Sequence, residues 1–496
     1  MSLRKLSRSS VPIVLWLVTA VFAQQTSAPQ PSTNTTSQPS TGVADPGPRT
    51  GGASAGSPLP GLSASQLAAF LDGQSRFQEI DAVTPNGLGP RFNSNSCSSC
   101  HAQPAVGGSS PHANPQIAFA NSRNQLPYFI QAGGPVREAR FIRNPNGTPD
   151  GGVHDLFVIS GRSDNPAGCN IAQESFSNAN NISLRIPTPT FGLGLIEAIP
   201  DATLVANLAA NSSAKSQLGI SGSLNRNGND GSVTRFGWKA QNKSLTTFAG
   251  EAYNVEMGIT NLVFPNERDD TPGCSPVPSP QDSFNLGVTG TAEFDDVTAF
   301  AAFMRFLAPP APAAAATPAT ATATTTATAS SVSRGATVFA SVGCALCHTP
   351  VLQTGASSFG APLSNQTINP YSDFALHNMG PGLADQIVQG LAAGDEFRTA
   401  PLWGLGQRLF LLHDGRASDL LTAIAAHSSQ GNSQFAASEA NAVIGNFNAL
   451  SSADKLSLLV FLRSLSTRSA GSTEPVEYLK GLSRRWRDGL RRDGCG

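Results

Sequence analysis

Two five-residue motifs constrain this chain more than anything else in it. Cys97-Ser98-Ser99-Cys100-His101 and Cys344-Ala345-Leu346-Cys347-His348 share the pattern C-x-x-C-H. Two thiols at this spacing add across the vinyl groups of a porphyrin, and the adjacent imidazole binds the iron, so the pattern is that of covalent c-type haem. With 7 Cys and 7 His in 496 residues, chance would supply only roughly 0.001 such motifs. A thioredoxin-like redox pair or half a zinc site would want a second Cys pair or a βαβ setting, and neither is visible. The sequence therefore predicts two haem c groups attached through Cys97, Cys100, Cys344 and Cys347, with His101 and His348 as proximal iron ligands.

The N-terminus suits that chemistry. Arg4, Lys5 and Arg8 precede a short apolar run, Val11 to Phe22, and Val21-Phe22-Ala23 offers a cleavage site, so residues 1–23 read as a signal peptide. The run is short for a transmembrane helix, and no later segment is apolar enough to span a membrane. A periplasmic protein is expected, with an uncleaved membrane anchor as the alternative. In an oxidising compartment Cys169 and Cys274, both in loop-like sequence, are expected to bridge; two buried thiols are the alternative. Cys495 carries no functional weight. A net charge of −1 gives no field for nucleic acid. Residues 24–61 are rich in Ser, Thr, Pro and Gly and read as a disordered low-complexity segment, and residues 469–496 as a basic tail.

An Ala/Thr/Pro-rich stretch, residues 309–330, is a linker. It separates residues 62–308 from 331–468, and the two halves repeat one plan. A helix-like stretch precedes each motif: Ser65 to Ile80 before Cys97, and Ser331 to Ser341 before Cys344. Each half closes on an amphipathic stretch, Asp296 to Leu307 and Asp454 to Leu465, with Asp and Arg nine residues apart in both. Helix, haem motif and closing helix is the plan of a cytochrome c domain. The fold class expected is mainly α, two cytochrome c-like haem domains, with a large irregular and β-containing insertion in the first. That insertion holds short β-like runs (Asp155 to Ile159, Asn181 to Ile186). It is too long for an idle loop, and should wall the first haem and set substrate selectivity.

Longer motifs carry a family resemblance. Arg398-Thr-Ala-Pro-Leu-Trp-Gly-Leu-Gly406 followed by His413-Asp-Gly415 resembles the second haem domain of bacterial di-haem cytochrome c peroxidases. Phe191 to Pro200, Arg235-Phe-Gly-Trp238, Glu256-Met-Gly-Ile-Thr260-Asn261 and His377 to Asp385 resemble the related di-haem oxidoreductase family, also labelled thiol oxidoreductases. The resemblance covers about residues 62 to 466.

That resemblance implies further site residues. In the peroxidases a Met fourteen residues after the His of His-Asp-Gly completes the electron-transfer haem; here that position is His427. Two imidazoles lower a haem potential relative to His/Met. Met379 is the rival distal ligand, and a surface helix position is the bland reading of His427. His413 is expected to hydrogen-bond a haem propionate. His112 is carried over as a distal ligand of the first iron. Glu256 and Glu197 are candidate catalytic acid/bases for moving a proton during peroxide cleavage, with an ion pair or helix cap as the alternative for each. Trp238 or Trp403 could relay electrons between haems, core packing being their default. Arg408 and Phe410 stand where the peroxidases carry calcium ligands, so calcium is not asserted.

The expected function is a periplasmic di-haem oxidoreductase with a reactive first haem and an electron-transfer second haem. Peroxide is the leading substrate and a small redox protein or cytochrome the partner. A haem-dependent oxidase of an organic or protein substrate is the runner-up among enzymes. The alternative from another class is a di-haem electron carrier without turnover.

Overall fold

The structure is a computed structural model, and it describes residues 42–49, 55–283, 285–286, 292–310 and 329–465. The signal-peptide segment, most of the linker, the basic tail and Cys495 lie outside them. Helices predominate over small two- and three-stranded sheets. Among the described residues no helix is long and apolar enough to cross a membrane.

Each half is organised by a leading and a closing helix packed on one another. In the first, Ala64–Phe77 is started by a capping box between Ser63 and Gln66, and Asp296–Phe306 by the Asp295 side chain accepting the Thr298 N–H. The leading helix buries Phe70, Gly73 and Phe77, spaced to share one face. Phe70 and Phe77 meet Phe303 of the closing helix at ring centroids of 5.3 and 5.0 Å. Gly73 is what lets the backbones approach: a Cβ there would lie 2.1 Å from the Ala299 carbonyl oxygen. The second half repeats the device. Ala329–Ser341 packs on Ser452–Ser464, Phe339 meets Phe461 at 5.4 Å, and a Cβ on Gly335 would lie 2.1 Å from the Ser457 carbonyl oxygen.

The insertion of the first half is mostly irregular, as expected, but not idle. Strand Glu138–Phe141 pairs antiparallel with Val153–His154 and Ile182–Arg185, and Arg91–Phe92 pairs with Phe157–Val158. The β-like runs therefore form strands, each shorter than its apolar stretch. A thirteen-residue wall helix, Leu245–Met257, packs on the closing helix. Cys169 and Cys274 are bridged, closing a separation of 105 residues. The insertion also fastens the halves together. Arg185 meets Asp385 at 2.6 Å and Lys239 meets the same carboxylate at 3.0 Å, all three buried.

Two boundaries need correction. Part of the 24–61 segment is ordered: the largely covered Asp45 side chain pairs with buried Arg463 of the second closing helix and accepts the Leu420 N–H at 2.7 Å. The Leu59 N–H likewise donates to the Phe306 carbonyl at 2.7 Å. A tract of turn-forming residues conceals a single aspartate that neutralises a buried arginine. The second leading helix also begins at Ala329, inside the expected linker.

Candidate haem cavities

Each C-x-x-C-H motif opens into a cavity. The first encloses about 1180 Å³ not filled by protein, part of it open to solvent, beside Cys97, Cys100 and His101. The second encloses about 1470 Å³ beside Cys344, Cys347 and His348. Both are roomy enough for a planar tetrapyrrole.

The histidines are prepared for iron in the same way. His101 Nδ1 donates to the Gly108 carbonyl at 3.0 Å, and His348 Nδ1 to the Tyr371 carbonyl at 3.0 Å. Burial lowers both basicities, His348 to about 4, so each ring is the neutral imidazole a metal requires. With Nδ1 held by a carbonyl, Nε2 keeps its lone pair. Phe77 and Phe339, four residues after Gly73 and Gly335, pack on these rings at 5.9 and 6.3 Å. His427 follows the same rule: it lines the second cavity, and its Nδ1 donates to the Ala423 carbonyl at 2.7 Å. Burial lowers its basicity, and it is close enough to His348 to lower that ring's as well. Met379 also lines this cavity.

Other cations and rings face the second cavity. His413 stacks on Phe397 at 4.3 Å, and burial pushes its pKa down to about 4. Among the described residues the Arg408 guanidinium has no hydrogen-bond or ion-pair partner, its carbonyl accepts from Arg463 Nη1 at 3.2 Å, and desolvation lowers its pKa to about 10. His377 is clamped between Asp373 at 3.0 Å and Glu439 at 2.8 Å, beside Cys347, and the negative groups hold it protonated.

The first cavity is walled by the insertion. Glu256 and Glu138 face it as a hydrogen-bonded carboxyl pair. Desolvation and Glu138 push Glu256 well above the usual carboxylate range, whereas Arg140 and Arg185 hold Glu138 below it despite its burial. Within the pair a proton is therefore held on Glu256 in preference to Glu138. Arg140 Nε donates to Glu138 at 2.7 Å and fixes the pair. Sequence reasoning missed Glu138 and its arginines, because nothing local marks a strand residue that meets the wall helix only after folding.

Two assigned residues lie elsewhere. Glu197 does not line the cavity; it accepts the Leu245 N–H at 2.9 Å and pairs with Arg305 at 2.7 Å, the cap and ion pair that were its alternative. His112 is exposed and is not among the first cavity's lining residues. Its loop is pinned by the Ser110 Oγ accepting the Val136 N–H at 2.8 Å and by Asn114 N–H donating to Ala132 at 3.0 Å. Of the two tryptophans, Trp238 lines both cavities, its Nε1 donating to the Ile186 carbonyl at 2.9 Å. Trp403 lines neither and packs against Gly192.

Residues 152–465 match the family model described as "di-haem oxidoreductase, putative peroxidase". The chain belongs to that family of di-haem oxidoreductases. The matched span holds the second motif and most of the insertion but begins after the first motif. No curated protein matches the chain.

The residues fit the two haems that the family implies. His101, His348 and His427 each have Nδ1 held by a backbone carbonyl, and Arg408, whose guanidinium has no partner among the described residues, lines the second cavity, as a haem propionate would require.

Proposed function

We propose that this chain is an exported di-haem c-type oxidoreductase of peroxidase type, with two cytochrome c-like halves, a reactive first site and an electron-transfer second site. Cys97, Cys100, Cys344 and Cys347 hold the haems covalently. When bound, the first haem supplies an iron at which peroxide is reduced by two electrons. The observation that carries the division of labour is the contrast between the cavities. The second is lined by His427 as well as His348 in a largely apolar pocket, whereas the first is lined by one histidine and the Glu138–Glu256 pair.

In this reading Glu256 holds the proton that cleavage of the peroxide O–O bond moves to the departing oxygen, and Glu138 shares it back. Arg140 and Arg185 keep Glu138 ionised, so the pair carries one proton rather than two. Trp238, touching both cavities, is the conduit for electrons that a small redox protein delivers to the second site. His413 and Arg408 orient the second haem through its propionates.

Cyanide titration of the half-reduced, haem-loaded protein tests the assignment. Binding at the first haem alone is expected. Binding at the second alone reverses the roles, and two low-spin irons that refuse cyanide in every redox state make the protein an electron carrier. A Trp238→Phe variant should keep cyanide affinity and slow electron transfer between the haems.

A further inference from the structure

We propose that Tyr253 is a redox-active tyrosine of the first cavity, giving one electron to the peroxide-oxidised haem site and its phenolic proton to a bonded carboxylate. This rests on the peroxidase reading above and adds a residue to it.

Tyr253 stands on the wall helix, is 3% exposed and lines the first cavity. Its hydroxyl donates to Asp296 Oδ2 at 3.1 Å and lies 3.5 Å from Asp81 Oδ2. A phenol has one hydrogen, so with Asp296 accepting it the second contact suits Asp81 in its neutral form. Burial and the nearby Glu79, Asp296 and Asp282 push Asp81 up to about 7, which makes that form available. The other oxygen of Asp296 is held by Arg76 at 2.6 Å, so the acceptor is fixed in place. Burial and the same carboxylates raise Tyr253 well above its ordinary range, and the phenol keeps its proton until it is oxidised.

The surroundings suit a radical rather than a proton donor to solvent. Phe300 packs edge-on to the Tyr253 ring at 5.1 Å, and Met257 and Cys97 line the same wall. No other described tyrosine shares this setting. Tyr128 is 56% exposed, and Tyr371 lines neither cavity.

The step balances without a further reagent. Peroxide accepts two electrons and two protons and leaves as water. One of those electrons comes from the Tyr253 phenol, whose O–H proton passes to Asp296 and leaves a phenoxyl radical; the other is drawn from the first haem site and is replaced by a further electron from the redox partner, and the two protons come from Glu256 and solvent. An electron from the redox partner, through the second site and Trp238, returns with that proton to restore the phenol. Tyr253 thereby stores an oxidising equivalent whenever peroxide arrives before the second site has been reduced.

The test is freeze-quench EPR and stopped-flow absorption on haem-loaded protein mixed with hydrogen peroxide. A phenoxyl signal that narrows with ring-deuterated tyrosine is expected in the parent protein, retained in Tyr128→Phe and Tyr371→Phe, and lost in Tyr253→Phe. Phe fills the same space, and unchanged haem mass and cyanide affinity check that the variant is folded. If peroxide alters the ferric haem spectrum yet no phenoxyl forms, or the signal survives Tyr253→Phe, the inference is wrong and the peroxidase reading stands. A ferric spectrum indifferent to peroxide in every redox state overturns both.

Discussion

The two halves of the molecule set the same helical pair beside unlike cavities. Gly73 against Ala299 and Gly335 against Ser457 are one backbone contact used twice. Phe77 on His101 and Phe339 on His348 are likewise one support used twice. Even the buried arginine near the end of each closing helix recurs, Arg305 paired with Glu197 and Arg463 with Asp45. What differs is the rest of each cavity's lining. A compact half supplies Leu, Ile and a second imidazole; a half with a long insertion supplies carboxyls and arginines. On the proposed reading, the repeated scaffold fixes where a haem can sit, and the unrepeated wall determines what its iron can do.

The largest effect should come from removing one haem at a time. In the double variant Cys97→Ala, Cys100→Ala, the denatured mass should fall from two haems to one, and peroxide turnover should vanish while the second haem keeps its low-spin spectrum. The matching variant at Cys344 and Cys347 should leave a first haem that still binds cyanide. If peroxide turnover survives loss of the first haem, the comparison is inverted.

Next comes the carboxyl wall. Glu256→Gln keeps the shape and removes the transferable proton, so peroxide cleavage should slow by about 10²–10⁴-fold with cyanide affinity retained. In the parent enzyme the rate should fall as pH rises through the elevated Glu256 pKa, because only the protonated acid can donate; the variant should lose that limb. Glu197→Gln, which loosens a structural pair, should lower thermal stability and leave the pH profile of the rate unchanged.

A smaller, spectroscopic effect belongs to the second cavity. His427→Met should keep that haem low-spin, introduce a sulfur–iron charge-transfer band and raise its potential, since a thioether stabilises ferric iron less than an imidazole does. An unchanged spectrum in His427→Ala would transfer the ligand role to Met379, which lines the same cavity.

The features legible in the sequence are those whose chemistry is local. C-x-x-C-H declares itself in five residues, and the Asp-to-Arg spacing exposed both closing helices. His427 was reachable by counting from His413, and it stands in the turn just beyond the helix Leu420–Ala425. Illegible were the groups that folding brings together from distant segments: Glu138 with Glu256, Asp45 with Arg463, Tyr253 with Asp81 and Asp296. The Gly73 and Gly335 contacts were hidden for another reason. A helical glycine looks like a weak helix former until the facing carbonyl is known. His112 follows the first haem motif closely in sequence, but the pinned loop that carries it leaves it exposed.

The smallest effect separates the halves by the sign of a pH dependence. In each, an aspartate at the start of the closing helix pairs with an arginine of the leading helix, Asp296 with Arg76 and Asp454 with Arg334. The first half adds buried carboxyls beside that pair, Asp282 and Asp81, and the folded pKa of Asp81 is pushed up to about 7 by burial and its acidic neighbours. Below about pH 4 Asp81 is neutral whether folded or not. As pH rises toward 7 the unfolded chain ionises first, so folding loses stability across that window. Asp81→Asn should therefore stabilise the haem-loaded protein more at pH 8 than at pH 5, by at most about 3 kcal/mol. Asp454 behaves oppositely: Arg334 holds its pKa down, so its stabilisation is present above the ordinary carboxylate range and is lost on acidification. Because the Asp454 pair is open to solvent, Asp454→Asn should cost little at pH 8 and less at pH 3. Melting temperatures of both variants across pH measure the difference; parallel curves would mean that the acid pocket around Tyr253 is not buried in the way the first half requires.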